Sequence, residues 1–250
     1  MPLVVRTVQT GTLRTLFDAL KEMFNDVNIT FTSTGMKVVS MDSSHVVLMD
    51  LILEAKNFDY YECSRSYTVG LNMPDLYKIL KIIDNTDQIG FLLDDEDLDK
   101  LTVESTNTET GHETRMKLKL LDIDQEHLEI PDKVFNTMVP ISSVEFQRIV
   151  RDLNTLAETV VIKTSPEFLV FEFCGDLHEG YRKIPVTCEQ EYSEEFSLTW
   201  LSRFSKASNL CSTVEILLEE SFPLFVKYEV GSLGTIVFCL APQIRDDMES

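Results

Sequence analysis

Apolar residues recur at helical spacing in two segments of the first half of the chain, 11–24 and 73–83. Pro74 stands in the first turn of the second segment, where a helix tolerates proline. The shorter apolar or alternating runs around them predict β-strands. These runs are 3–9, 27–33, 36–41, 45–54, 67–71, 88–93, 100–106 and 114–121. The first half is therefore predicted to be an α+β domain.

The same order of elements begins again after the middle of the chain. A strand near 134–141 leads into a helix over 144–156, whose apolar residues repeat the spacing that starts at Leu13, 133 positions earlier. Residues 167–173 likewise resemble 35–41 at an offset of 132. An offset that persists through several elements predicts a duplicated domain, and two unrelated α+β domains with generic patterns are the alternative. The predicted division is 1–120 for the first domain, 121–136 for a connecting loop and 137–250 for the second domain.

Basic residues are concentrated in the predicted helices, of which 199–210 is the fourth. The chain has 42 acidic and 22 basic residues and a formal net charge of -20, which argues against a surface that coats nucleic acid or anionic membrane all over. The four helices nevertheless hold eight of the bases and only five of the acids. In three of these helices, bases stand two and five positions after the first apolar residue. Lys78 and Lys81 follow Leu76, Arg148 and Arg151 follow Phe146, and Arg203 and Lys206 follow Leu201.

A spacing of three places both bases of a pair on one side of the helix, away from the apolar stripe. The repeated spacing in an acidic chain predicts a surface that faces a polyanion such as the phosphate backbone, which carries charge without sequence information. The alternative is the ordinary solvated face of an amphipathic helix.

Catalytic signatures are not found in the sequence. It contains no glycine-rich phosphate loop, and its four histidines and five cysteines have no metal-ligand spacing. The acidic run Asp94–Asp97 with Asp99 lacks the glycine and the final glutamate of an EF-hand, so a solvated loop is the favoured interpretation. An enzyme that binds a metal through this run is the less favoured alternative. We therefore predict that the protein is not an enzyme and has no metal site and no cofactor.

The sequence shows no feature of a membrane or secreted protein. The apolar run 46–53 is too short to span a bilayer, and no signal peptide begins the chain. The cysteines are odd in number and scattered, which is typical of reduced thiols. An intracellular protein without membrane contact is predicted.

Several segments resemble the eukaryotic-type DNA sliding clamps, the proliferating cell nuclear antigen family. The most specific is Ser40–Val46, Ser-Met-Asp-Ser-Ser-His-Val, and the ending Leu240–Pro242 before an acidic tail is similar too. The shorter matches are Lys78–Lys81, Met116–Leu118, Leu128–Pro131, Arg148–Leu153 and Lys206–Ala207.

The resemblance implies a fold and a function. The fold would be a duplicated α+β clamp domain, with helices on the inner face and sheets outside. Three chains would form a homotrimeric ring that encircles double-stranded DNA, serves as a polymerase processivity factor, and docks replication and repair proteins. Its partners would be DNA polymerases, a separate ATP-driven clamp loader, and proteins carrying a Q-x-x-aliphatic-x-x-aromatic-aromatic motif. The location would be the nucleus, or the cytoplasm for a viral copy.

The resemblance also assigns residues to three surfaces. The DNA-facing bases would be Arg14, Lys21, Lys78, Lys81, Arg148, Arg151 and Lys206, to which the spacing adds Arg203. The partner-peptide pocket would be formed by Met41, His45, Val46, Leu128, Ile130, Pro131, Pro223, Cys239, Ala241 and Pro242. The subunit interface would include Thr114 and Tyr181.

Some positions depart from the family pattern. The family has tyrosine where this chain has Cys239 and Thr114, which predicts a smaller pocket wall and a weaker subunit contact. Pro185 confines its strand to a sheet edge, and Pro166 stands where many relatives have a modifiable lysine. An acidic regulatory or chaperone-like module that does not touch DNA is the alternative from another functional class.

Overall fold

The computed structural model describes residues 3–94, 96–124, 135, 137–188, 191–220 and 222–243. The chain divides into two compact units. Unit 1 is drawn from Met1–Ser43, Leu48–Ile130 and Glu229–Ile236, and unit 2 from Ser44–Val47, Pro131–Tyr228 and Val237–Ser250. Within the described ranges, no helix is long and apolar enough to cross a membrane. None of the five cysteines, all of which lie in these ranges, forms a disulfide bond.

The first half of the chain contains nine strands and two helices within the described residues. In chain order they are β1 (Leu3–Thr7), α1 (Thr10–Leu20), β2 (Asp26–Thr32), β3 (Gly35–Met41), β4 (Val47–Glu54), β5 (Tyr60–Cys63), β6 (Tyr67–Asn72), α2 (Met73–Ile82), β7 (Gln88–Asp94), β8 (Asp97–Thr106) and β9 (Glu113–Lys119). A short 3₁₀-helix, Ala55–Asn57, lies between β4 and β5.

The second half repeats this order with one strand fewer. Its elements are β10 (Thr137–Ser142), α3 (Ser143–Leu153), β11 (Thr159–Ser165), β12 (Phe168–Cys174), β13 (Glu179–Pro185), β14 (Tyr192–Ser197), α4 (Leu198–Phe204), β15 (Thr213–Leu218), β16 (Leu224–Val230) and β17 (Gly234–Leu240). A 3₁₀-helix, Ser205–Asn209, continues from α4.

Strand pairing confirms the duplication that the sequence predicts. In the first half, strands pair in the orders β5-β1-β7-β8-β9 and β4-β3-β2-β6. In the second half the orders are β10-β15-β16-β17 and β13-β12-β11-β14. Each strand of the second half therefore has the same neighbours as its counterpart in the first, and β5 is the one addition. The architecture is the duplicated α+β fold that was predicted.

The helices form where apolar spacing and end signals coincide. The apolar residues at helical spacing in α1 are at most 1 % exposed, and they are Leu13, Leu16, Phe17 and Leu20. At the start of α2, the Asn72 side chain accepts a hydrogen bond of 3.0 Å from the Asp75 backbone N–H, which satisfies a donor that the helix leaves unpaired. Asp75 in the first turn and Lys81 in the last turn also suit the helix dipole.

Some local expectations were wrong. The two serines Ser142 and Ser143, followed by Glu145, indicate a helix start, and α3 does begin at Ser143, but the side chain of Ser142 makes no capping hydrogen bond. The fourth helix is α-helical only to Phe204, and Ser205–Asn209 follow with the tighter 3₁₀ geometry. Strand β5 was not predicted, because the short segment Tyr60–Cys63 is exposed or half-buried throughout and carries no strong apolar signal.

Stacked aromatic rings fix helix α4 within unit 2. The rings of Phe204 and Phe238 stack at 4.7 Å between centroids, with an interplanar angle of 9°. Tyr228 meets Phe238 edge to face at 6.3 Å. Phe204 and Phe238 are fully buried, so one face of α4 is held firmly and its opposite side is presented to solvent.

A ladder of charged side chains crosses the five-stranded sheet of unit 1. Glu104 accepts hydrogen bonds from Arg6 at 3.0 Å and from Arg115 at 2.9 Å, and these three residues belong to β8, β1 and β9. Gly90 on β7 lies beneath them, and a Cβ there would meet the Cγ of Glu104 at 3.0 Å. The ladder therefore ties the outermost strand β9 to the interior of the sheet.

Replacing Glu104 by glutamine is expected to lower the free energy of unfolding by about 1–2 kcal/mol, because two arginines lose a carboxylate that is only 12 % exposed. Glu54→Gln is the matched control, since Glu54 pairs with Lys56 at the surface, where solvent screens the ion pair, and this variant should unfold like the parent. Urea denaturation of both variants measures the difference. Equal stabilities would contradict a stabilising role for the ladder.

A glycine lets the segment after β9 cross strand β6. Leu121 donates its backbone N–H to the carbonyl of Gly70 at 2.8 Å, and a Cβ at Gly70 would lie 2.2 Å from the Leu121 oxygen. The Asn28 side-chain amide also donates to the Ile123 carbonyl at 3.0 Å. The start of the predicted connecting loop is thus attached to two strands of unit 1.

Candidate functional site

The helices of each unit pack in a pair, and their basic residues lie away from the buried stripes. In unit 1, α1 packs against α2, and in unit 2, α3 packs against α4 and the following 3₁₀-helix. Leu76, Phe146 and Leu201, from which the basic spacing is counted, are fully buried. The bases at +2 and +5 are exposed or half-buried, as expected for side chains opposite an apolar stripe.

Arg14 has a structural role within unit 1. Its guanidinium donates to the backbone carbonyl of Ile83 at 2.8 Å and to the side chain of Asn85. Ile83 is the C-terminal cap of α2, where carbonyl groups lack partners inside the helix. Arg14 therefore links α1 to the end of α2, and only part of its hydrogen-bonding capacity is left for a ligand.

Three of the predicted bases are paired with carboxylates. Lys21 contacts Asp18 at 2.9 Å and Glu22 at 3.0 Å, and the hydrogen bond that it donates to Asp18, followed by the one to Glu22, raises the pKa of the lysine. Lys78 contacts Asp75 at 2.7 Å, and Arg151 contacts Asp152 at 3.2 Å. Such a base must give up its carboxylate before it can contact another anion directly.

Three other bases have no carboxylate partner within the part of the chain that the structure describes. Lys81 and Arg148 are exposed and make no ion pair there. Arg203 is half-buried, and its guanidinium carbon lies 4.4 Å from the ring centroid of Trp200. These three side chains keep a full positive charge available to a polyanion. The remaining predicted base, Lys206, is exposed on the 3₁₀-helix after α4.

Sequence reasoning missed the contribution of Trp200. The signal was present, because Trp200 and Arg203 are three residues apart and so occupy the same side of α4. The acids at i−3 to Lys21 and Lys78 were equally visible. The contact of Arg14 with Ile83 joins residues far apart in sequence and carries no such local signal.

One backbone contact joins two of the predicted pocket segments within unit 2. Ala241 donates its N–H to the carbonyl of Val46 at 3.0 Å. Val46, Ala241, Pro223 and Pro242 are half-buried, so each offers some apolar surface. His45 is exposed and has a φ of 58°, a left-handed conformation that turns the chain sharply before Val46.

The remaining predicted pocket residues differ in what they expose. Met41 is half-buried at the end of β3 in unit 1. Cys239 is only 7 % exposed, so its side chain offers a partner little surface. Leu128, Ile130 and Pro131 lie outside the described residues.

The predicted interface residues lie on outermost strands. Thr114 is exposed on β9, which ends the five-stranded sheet. Tyr181 is 67 % exposed on β13, which ends a four-stranded sheet and contains Pro185. Leu177, just before β13, is 88 % exposed. An outermost strand has unpaired backbone groups that can accept a strand from another chain.

No metal-ligating cluster of three or more suitable side chains occurs among the described residues. Within the acidic run, Asp97 instead pairs with Lys100 at 2.9 Å and Lys117 at 3.3 Å. The hydrogen bond from Lys100 is the largest of the effects that lower the pKa of Asp97. This carboxylate therefore contributes to cross-strand pairing between β8 and β9.

Comparison with known proteins covers nearly the whole chain. Residues 3–127 match the family "Proliferating cell nuclear antigen, N-terminal domain", and residues 129–243 match its C-terminal domain. A protein named "Proliferating cell nuclear antigen" from Chaetomium thermophilum is 35 % identical, over 98 % of this chain and 99 % of its own length. "Probable DNA polymerase sliding clamp 1" of Paramecium bursaria Chlorella virus 1 is 34 % identical over 95 % of both chains. The chain therefore belongs to the proliferating cell nuclear antigen family, the DNA sliding clamps that act as polymerase processivity factors.

Proposed function

We propose that three copies of this chain close into a ring around duplex DNA, which holds a polymerase on its template and docks replication and repair proteins. Residues 1–120 and 137–250 are the two domains, and residues 121–136 are the loop that connects them. A clamp loader opens the ring, and partners attach through a Q-x-x-aliphatic-x-x-aromatic-aromatic peptide. The chain itself performs no catalysis and works in the nucleus, or in the cytoplasm if it is viral.

The distribution of charge carries this proposal. In a chain with a net charge of -20, each unit contains a pair of helices whose solvent side has cations without carboxylate partners among the described residues. In unit 1 this cation is Lys81, and in unit 2 the cations are Arg148 and Arg203. Such cations favour the sequence-independent phosphate backbone, and the acidic remainder disfavours binding of DNA elsewhere on the surface.

Two measurements separate this function from that of an acidic module that ignores DNA. Sedimentation should give a particle of about three times the 28.6 kDa chain mass. In a polymerase extension assay on primed circular DNA, the protein should lengthen products only when a loader and ATP are present. A chain that stays monomeric and leaves product length unchanged would support the alternative.

Removing the Lys78–Asp75 pair as a unit tests whether paired bases contribute to DNA contact. The Lys78→Gln/Asp75→Asn variant keeps the net charge and should change DNA affinity by less than about twofold, because the ion pair was neutral beforehand. Lys81→Gln on the same helix should weaken binding several-fold and lower the salt slope by about 0.9 for each phosphate that the protein no longer neutralises. Fluorescence anisotropy of a labelled duplex measures both. Equal weakening by the two variants would show that the ion pair with a carboxylate does not determine how much a lysine contributes to DNA affinity.

We also propose that the partner peptide docks on the pocket residues that the family resemblance assigns, among them Val46, Pro223 and Pro242 of unit 2. Ile130→Ala should weaken binding of a consensus peptide by about 1–3 kcal/mol, as expected for an apolar anchor. Leu121→Ala is the control, because Leu121 is on the same connecting loop as Ile130 but is held to Gly70 through its backbone. Calorimetric titration compares the two. Undiminished binding by Ile130→Ala would move the pocket to another surface.

A further inference from the structure

Arg203 is fixed in a way that distinguishes it from the other predicted DNA-facing bases. Its guanidinium lies over the ring of Trp200 at 4.4 Å, within the range of a cation–π contact. Lys78 and Arg151 are instead held by carboxylates, and Lys81 and Arg148 have no ion pair within the described residues. Arg14 is held through its own N–H donors by Ile83 and Asn85, and Lys21, 4.6 Å from the ring of Tyr77, also contacts two carboxylates. Arg203 is therefore the predicted base that a ring restrains without an acidic partner among the described residues.

An aromatic partner affects a cation differently from a carboxylate. A carboxylate neutralises the charge and occupies the in-plane N–H donors of a guanidinium. A ring contacts the flat face, leaves the charge intact, and leaves the donors at the edge free for two oxygens of one anion. The contact also limits the rotamers of a long side chain, which lowers the entropy lost on binding.

The surroundings of Trp200 support such a role. Helix α4 buries Leu198, Leu201 and Phe204, and the stacking of Phe204 on Phe238 fixes the helix within unit 2. Trp200 and Arg203 occupy the remaining side, where Trp200 is half-buried rather than part of the core. A core tryptophan would be enclosed, whereas this one has a face available to support a charged group.

We propose that Trp200 is a positioning residue that holds Arg203 ready to bind a DNA phosphate with two hydrogen bonds. The proposal rests on the function proposed above, because it requires the solvent side of α4 to face the duplex. Trp200 acts through Arg203 and does not read bases. It also provides a reporter, because it is the single tryptophan of the chain.

The first experiment titrates the assembled protein at low salt with a short linear duplex, which can thread through a closed ring from its end. Anisotropy of a dye on the DNA reports binding, and emission of Trp200 reports the local environment. We expect both signals to change over the same range of DNA concentration. Anisotropy that rises while the emission stays constant would overturn the positioning role and keep the proposed function. Constant anisotropy would overturn both.

The second experiment uses four variants with anisotropy as the readout. Arg203→Gln and Trp200→Leu should each weaken binding by about three- to tenfold and lower the salt slope, and Trp200→Phe should stay within about twofold of the parent because it keeps a ring face. Arg65→Gln is the matched control, since Arg65 lies over Tyr67 at 5.0 Å outside the helices and should not matter.

A double-mutant cycle separates positioning from a general structural effect. If Trp200 acts through Arg203, Trp200→Leu should cause no further weakening in the Arg203→Gln background. Thermal unfolding and particle mass of each variant show whether the fold and ring persist. Additive effects, or Trp200→Leu that binds like the parent, would overturn the proposal. So would a Trp200→Phe variant that binds as weakly as a folded Trp200→Leu variant.

Discussion

Replacing Lys81, Arg148 and Arg203 together by glutamate is expected to abolish loader-dependent processive synthesis. Each replacement reverses a charge that has no carboxylate partner among the described residues, and a ring repeats the change in every subunit. Phosphate contacts that favoured the duplex become repulsive, so the protein should no longer be retained on DNA at physiological salt. Product lengths on primed circular DNA measure the effect.

The control reverses the same number of charges away from the helices. Lys37, Lys56 and Arg65 are exposed and lie in β3, the first 3₁₀-helix and the turn before β6. Their triple glutamate variant should keep most of the processivity, and both variants should retain the fold and particle mass of the parent. The assignment of the DNA-facing surface would be contradicted if the glutamate variant of Lys81, Arg148 and Arg203 kept full processivity, or if both triple variants were impaired equally.

Placing glutamate at both Leu177 and Tyr181 is expected to convert the ring to single chains. These side chains are 88 % and 67 % exposed next to or on the outermost strand β13, so they are available to a second copy. The predicted interface joins β13 to β9 of another subunit, and in that interface the charges would be buried unpaired, at a cost of several kcal/mol that a standard-sized contact would not offset. Mass photometry should show about 28.6 kDa in place of threefold that mass.

Leu98→Glu is the control for this variant. Leu98 is 42 % exposed on β8, which has neighbours on both sides, so a charge there should leave the ring intact. Thr114→Tyr should shift dissociation to lower protein concentration, because it adds an aromatic side chain to β9. If the variant with glutamate at both Leu177 and Tyr181 remains trimeric at nanomolar concentration, β13 is excluded from the interface.

Sequence alone predicted most elements of the fold because their signals are local and repeated. The apolar stripe of α1 and its counterpart in α3 give the same period at a constant offset, and both stripes are buried. The segment Tyr60–Cys63 escaped prediction because it is a short strand without a buried face, whose formation depends on pairing with β1. The 3₁₀ ending after Phe204 depends on hydrogen-bond geometry, which residue types specify weakly.

The candidate site was predictable in its residue types and less so in their availability. Spacing identified the basic side of the helices, but it was not used to separate Lys78, which is paired with Asp75, from Lys81, which is not. Asp75 was visible in the sequence three residues before Lys78, whereas the formation of the ion pair depends on side-chain rotamers. Arg14 shows a different limit, because its partner Ile83 comes close only after α1 and α2 have packed together.

The crossing of Leu121 over Gly70 has a consequence for how this protein can change by mutation. The contact uses only backbone atoms of Leu121, so almost any side chain at position 121 preserves it, whereas a single methyl group at position 70 would lie 2.2 Å from an oxygen. The attachment of the loop therefore requires glycine at position 70 in β6 and does not require a particular side chain at position 121. In a library of random variants, substitutions at 121 should survive selection for partner binding, and those at 70 should be removed.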